Sequence, residues 1–143
     1  MSMSNSMVEI LLVEDNMDDA GLTIRALKKN NLANHLLHLH DGEEALAYLF
    51  SEPPNPIPKL ILLDLKMPKI GGIEVLKKIK SDDQKKVIPV VMLTSSKEDQ
   101  DIVVAYEMGA NAYIVKPVGF DNFLTAVTEL GMFWLVSNQS PNL

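Results

Sequence analysis

Five short apolar runs, each followed by a longer amphipathic stretch, constrain this chain more than any other feature. The runs are Val8–Val13 (broken only by Glu9), Leu36–Leu39, Leu60–Leu63, Val90–Leu93 and Tyr113–Val115. Four of them leave no alternate position polar enough to face water. They fit strands covered on both faces, which is what parallel sheets require. The second run alternates His and Leu and reads as a strand nearer an edge. The stretches between carry helical spacing: Leu22, Ile24 and Leu27 after Asp18 or Asp19; Ala45, Leu46 and Leu49 after Asp41 or Gly42; Val75, Leu76 and Ile79 after Gly72. A fourth starts at Ser95 or Ser96 with Glu98 and Asp99 in its first turn, and stops at Gly109. The last carries Phe120, Phe123, Leu124, Val127 and Leu130, and continued through Trp134 it would keep the same spacing. Strand then helix, five times over, predicts an α/β domain with a parallel sheet and right-handed crossovers.

Composition excludes several classes. The 143 residues suit one domain, and 47 % apolar against 22 % charged residues is a globular balance. Thirteen basic against nineteen acidic residues give a net charge of −6, a poor match to nucleic acid. There is no cysteine, so disulfides, thiol catalysis and Cys-based zinc sites are out, and a cytoplasmic location is expected. No apolar run approaches the ~20 residues of a membrane span. Neither GxxxxGK[ST] nor GxGxxG occurs. The Ser-rich start, Met1 to Met7, has no basic or apolar character of a signal peptide.

Ligands of open α/β sheets bind beyond the carboxyl ends of the strands. After the first run come Glu14 and Asp15, with Asp18 and Asp19 close behind. Asp64 follows the third, Thr94, Ser95 and Ser96 the fourth, and Lys116 and Pro117 the fifth. Singly, each has a mundane reading as a helix cap, a turn residue or a surface charge. Together they bring three acids, a hydroxyl and a lysine to one edge. Carboxylates crowded in this way repel one another, and a hard cation such as Mg²⁺ relieves them while leaving positions for water and a phosphoryl oxygen. A carboxylate can itself attack a phosphoryl group.

These residues resemble the receiver domains of two-component response regulators. The likeness runs from about Val8 to Leu130. It rests on Glu14-Asp15, on Asp64-Leu65-Lys66-Met67-Pro68 with Gly72 eight residues beyond Asp64, on Thr94-Ser95, and on Tyr113-Ile114-Val115-Lys116-Pro117. The resemblance implies a flavodoxin-like, doubly wound (βα)5 fold with strand order 2-1-3-4-5. It implies that Asp64 accepts a phosphoryl group from the phosphohistidine of a sensor histidine kinase. Asp15, Asp64 and the backbone carbonyl of Lys66 would hold Mg²⁺, with Glu14 acting through a metal-bound water. Thr94 and Lys116 would each meet a phosphoryl oxygen, and the Lys116–Pro117 peptide would be cis. Thr94 and Tyr113 would form the switch, the hydroxyl moving toward the phosphoryl group and the ring turning inward behind it.

The implied organisation is a disordered leader over residues 1–7, a receiver domain over 8–136 and a tail over 137–143. The stretch after Leu130 is too short for an output domain, so a stand-alone receiver is expected, acting in a phosphorelay through protein contacts. The run Gly131–Val136 has more apolar side chains than one core can face, so Phe133, Trp134 and Leu135 suggest an interface and a homodimer. The same ending, with Glu14-Asp15-Asn16 and Asp18-Asp19, is similar to small receivers that serve phytochrome-type histidine kinases. No nucleic-acid or membrane partner is expected. Other classes fit less well, among them a flavodoxin-type flavin domain, since no Ser/Thr/Gly-rich phosphate loop follows the first strand. An aspartyl phosphatase needs a second acid two residues after its nucleophile, where this chain has Lys66. A receiver-like binding module that ignores phosphorylation would not require the acidic set. Four prolines between Pro53 and Pro58 read as a stiff connector, and His35, His38 and His40 as edge-strand residues, the last two on one face.

Overall fold

The computed structural model of the chain describes residues 7–32, 34–95 and 100–137. Its five strands are β1 (Ile10–Val13), β2 (Leu36–Leu39), β3 (Leu60–Asp64), β4 (Val90–Thr94) and β5 (Ala112–Val115). All neighbouring pairs are parallel, in the order β2-β1-β3-β4-β5. This is the flavodoxin-like fold, and the His/Leu strand β2 sits at the edge. In β1, β3 and β4 every residue is buried.

The helices are α1 (Met17–Lys28), α2 (Gly42–Leu49), α3 (Gly72–Lys80), α4 (Asp101–Glu107), α5 (Phe120–Glu129) and α6 (Phe133–Ser137). Strand side chains point alternately to opposite faces, and each set has its own helical cover. Ile10, Leu12, Leu60, Leu62, Val91, Leu93 and Ile114 pack with Leu27 of α1 and Phe123 and Val127 of α5. Leu11, Val13, Ile61, Leu63, Val90 and Met92 pack with Ala45 and Leu49 of α2, Val75, Leu76 and Ile79 of α3, and Ala105 of α4. The unbroken apolar runs are therefore two interleaved cores seen edge-on.

Three local details differ from expectation. Asn16, not Asp18 or Asp19, caps α1, its Oδ1 accepting from the Asp19 N–H at 2.9 Å. That leaves the Asp19 side chain available for another contact. Helix α3 begins at Gly72 itself, one residue after Gly71. The last helix does not run through Trp134: α5 ends at Glu129, and Gly131 takes a left-handed φ of 73° before α6 starts. Glycine has no Cβ to penalise that turn. Beyond it Met132 and Leu135 return to the core while Phe133 and Trp134 stay exposed. Leu135, 1 % exposed, is thus a core residue rather than part of an interface. The expected first turn of the fourth helix (96–99), most of the leader (1–6) and most of the tail (138–143) lie outside the described residues. Among the described residues no helix is long and apolar enough to cross a membrane.

Candidate functional site

Parallel strands all end on the same side, so the residue closing each strand is delivered to one rim. Glu14 follows β1 directly, Asp64 is the last residue of β3, Thr94 the last of β4, and Lys116 follows β5. They line a cleft of about 250 Å³ with Asp15, Asn16, Asp19, Leu65, Lys66 and Ser95. Every charged or hydroxyl residue assigned from the sequence to phosphoryl or metal contact therefore lies at one place. Glu14, Asp64 and Thr94 are buried, and Asp15 is the more accessible of the three converging acids. The Lys116–Pro117 peptide is cis, as the resemblance implied.

Gly72 explains its own spacing from Asp64. A Cβ there would collide with the Asp64 carbonyl oxygen and lie 2.9 Å from the Leu65 Cα. The Gly72 N–H donates to the Leu65 carbonyl at 3.0 Å. The start of α3 thus lies against the loop that leaves the carboxylate, and only glycine permits that approach.

Lys116 Nζ stands 3.0 Å from Glu14 Oε1, 3.0 Å from Asp19 Oδ2 and 3.2 Å from Asp64 Oδ1. Burial pulls the ammonium's pKa down. The contacts with Glu14 and Asp19 and the charge of Asp64 outweigh it, so Lys116 is held above the usual lysine value and stays charged. Asp64 goes the other way for a carboxylate: burial first, then the neighbouring Glu14, push it up to about 8, against the opposing pull of Lys116.

Oxygens of Glu14, Asp15 and Asp64 all lie within 4.8 Å of one another. Glu14 Oε2 accepts from the Asn16 N–H at 3.2 Å. Glu14 Oε1 has the ammonium nearby but no directed hydrogen bond, the one buried side-chain polar atom so placed among the described residues. An under-satisfied buried carboxylate oxygen, facing two more carboxylates, is a donor set that fits a divalent cation.

Two contacts had no clear signal in the sequence. By sequence Asp19 is a candidate helix cap, yet its side chain reaches Lys116 across 97 positions of chain. Its place in the first turn of the helix that directly follows Glu14 and Asp15 is the signal that could have pointed to it. His38 Nε2 lies 2.9 Å from the Glu14 carbonyl oxygen, and its ring centroid is 4.5 Å from that of His40, so those two do share a face. Tyr113 on β5 is half-buried, with Tyr106 of α4 edge-on at 6.0 Å.

The carboxylates, a threonine and a lysine thus stand together at the carboxyl rim of a 2-1-3-4-5 parallel sheet, the arrangement of a receiver-like α/β domain. Residues 10–128 match the family model described as response regulator receiver domain, and the chain belongs to that family, the receivers of two-component signalling. It is 39 % identical to response regulator Rcp1 of Synechocystis sp. over 92 % of each chain. The Mn²⁺-bound form of Rcp1 superimposes with a TM-score of 0.71, covering 95 % of this chain and 100 % of that one at 37 % identity. The bacteriophytochrome response regulator AtBRR gives a TM-score of 0.80 at 50 % identity, covering 90 % of this chain and 95 % of its own. The phosphorylated cyanobacterial phytochrome response regulator RcpA gives 0.69 at 38 % identity, covering 91 % and 95 %.

Proposed function

We propose that this chain is a single-domain response regulator whose Asp64 accepts a phosphoryl group from the phosphohistidine of a sensor histidine kinase. The observation that carries this reading is the convergence of Asp64 with Glu14, Asp15, Thr94 and Lys116 in one small cleft. An Asp64 carboxylate oxygen attacks phosphorus, the P–N bond to the donor imidazole breaks, and the imidazole takes a proton from solvent. Asp64 must first lose its own proton, which Lys116 favours and Glu14 opposes. Lys116 then offsets charge on one phosphoryl oxygen, and the Thr94 hydroxyl donates to another.

Glu14, Asp15 and Asp64, with the backbone carbonyl of Lys66 at the same cleft, are the groups that would hold Mg²⁺. Bound there, the ion neutralises the acidic cluster and the charge on the phosphoryl oxygens. That the related Rcp1 has an Mn²⁺-bound form supports a divalent ion as a ligand of this chain. The phosphorylated form of RcpA supports phosphorylation as the input.

In this reading Thr94 and Tyr113 are the switch, the ring turning inward as the hydroxyl moves toward the phosphoryl group. The functional unit is residues 8–136, located in the cytoplasm, and the output is a protein contact in a phosphorelay. The likeness to AtBRR and RcpA favours a phytochrome-type kinase as the donor. Phe133 and Trp134, exposed on α6, are the residues offered to a homodimer. The test is intact mass after incubation with acetyl phosphate and Mg²⁺. One added phosphoryl group, absent without Mg²⁺ and in Asp64→Asn, is the expected result. No gain from acetyl phosphate or from a phosphorylated kinase would leave a binding module that ignores phosphorylation.

A further inference from the structure

The three carboxylate partners of Lys116 are not equivalent. Glu14 and Asp64 belong to the set of converging oxygens that fits a cation, and Asp19 does not. Asp19 arrives separately, from the first turn of α1, and its side chain is 37 % exposed where those of Glu14 and Asp64 are 0 % and 6 %. A carboxylate committed to a divalent cation has fewer lone pairs and less net charge to offer an ammonium. The cation also repels the ammonium directly. Loading the site therefore weakens two of the three contacts that hold Lys116.

We propose that Asp19 is a positioning residue that keeps the Lys116 ammonium at the phosphoryl site when Glu14 and Asp64 turn to a bound divalent cation. Lysine is a point charge on a flexible four-carbon stem, and its direction is set by its partners. Asp19 Oδ2 accepts one N–H of the ammonium at 3.0 Å. Two of its three donors remain for phosphoryl oxygens. The cap of α1 does not depend on this side chain, because Asn16 accepts from the Asp19 backbone instead. The inference rests on the phosphoacceptor reading for its purpose, while the contact itself can be tested apart from it.

The measurement is solvent exchange of the Lys116 ammonium in the full chain, from its ¹⁵N–¹H resonance, assigned by its loss in Lys116→Arg. Wild type is expected to exchange slowly with and without saturating Mg²⁺. Asp19→Asn is expected to match wild type without metal and to exchange about tenfold faster with it, and Asp19→Glu to recover part of the difference. Asp18→Asn removes the same charge from the same helical turn at an exposed position outside the cleft, and serves as the control. Wild-type exchange in Mg²⁺-loaded Asp19→Asn would overturn the proposal, as would an equal effect from Asp18→Asn. In parallel, phosphoryl uptake from acetyl phosphate at saturating Mg²⁺ should slow about tenfold in Asp19→Asn at an unchanged half-saturating Mg²⁺ concentration. A change in Mg²⁺ affinity with no change in rate would make Asp19 a metal ligand and overturn the positioning role. If wild type takes up no phosphoryl group, the phosphoacceptor reading fails, and the ammonium measurement still decides whether Asp19 holds Lys116.

Discussion

The middle of the sheet and its carboxyl rim are built from the same strands, both hold buried side chains, and answer to opposite physics. Leu60 to Leu63 of β3 are fully excluded from solvent, and so, nearly, is Asp64 at the end of the same strand. In the middle, burial is favourable and packing does the holding. At the rim, burial costs free energy that a single lysine offsets only in part, so the Asp64 carboxyl is raised well above the usual carboxylate range. The lesson is that the rim is held in its strained electrostatic state by the stability of the middle. A rim relaxed by mutation should make the fold more stable and the site useless.

The strongest test attacks the middle. Leu62→Ala removes a fully buried side chain facing α1 and α5 and should cost about 2–5 kcal/mol in urea unfolding, with no direct effect on the cleft. A loss below about 1 kcal/mol would mean that the middle is far less tightly packed than its burial implies. Gly72→Ala joins the two regions, because the added methyl meets the Asp64 carbonyl. It should cost about 1–3 kcal/mol and, unlike Leu62→Ala, also slow phosphoryl uptake by shifting the Asp64 loop. Equal loss of uptake per unit of stability in both variants would erase the distinction between the regions.

The rim alone is tested by pH. Asp64 is raised to about 8, so the folded state binds this proton more tightly than the unfolded chain does. Its contribution is complete below the ordinary carboxylate range and is lost as pH rises toward 8. In metal-free buffer, stability should fall across that window with a slope of up to about 1.4 kcal/mol per pH unit. Asp64→Asn should remove the slope, so its advantage over wild type grows with pH. An advantage constant from acid to pH 8 would contradict the raised carboxyl. The smallest effect is expected at neither region: Phe133→Ser, on an exposed ring, should change monomer stability by less than about 0.5 kcal/mol. A lowered association constant in sedimentation, with that stability unchanged, would assign the ring to the dimer.

Much of this was legible because parallel sheets simplify reading. Strands buried on both faces must be apolar throughout, so β1, β3 and β4 announce themselves. Chemistry can then only follow them, which leads to Glu14, Asp64 and Thr94. What escaped depended on contacts that no periodicity encodes. Asp18 and Asp19 both look like caps, and only the closeness of α1 to the end of β5 separates the one that meets Lys116. The tail misled because Phe120 to Trp134 keeps helical spacing across Gly131. A lone glycine within a helical pattern costs only about 1 kcal/mol, too weak a signal to mark the break. Unbroken helical spacing points Leu135 outward, whereas the turn sends it in.

That turn has a mechanical consequence. Met132 and Leu135 fasten α6 to the body of the domain at two points, in the same core as Phe123 and Val127 of α5 and Ile114 of β5. The rings of Phe133 and Trp134 are consequently mounted on a short helix anchored by Met132 and Leu135, with Lys59 Nζ 5.4 Å from the centroid of the second ring. The packing runs from α6 to α5 and from α5 to β5, the strand whose next residue is Lys116.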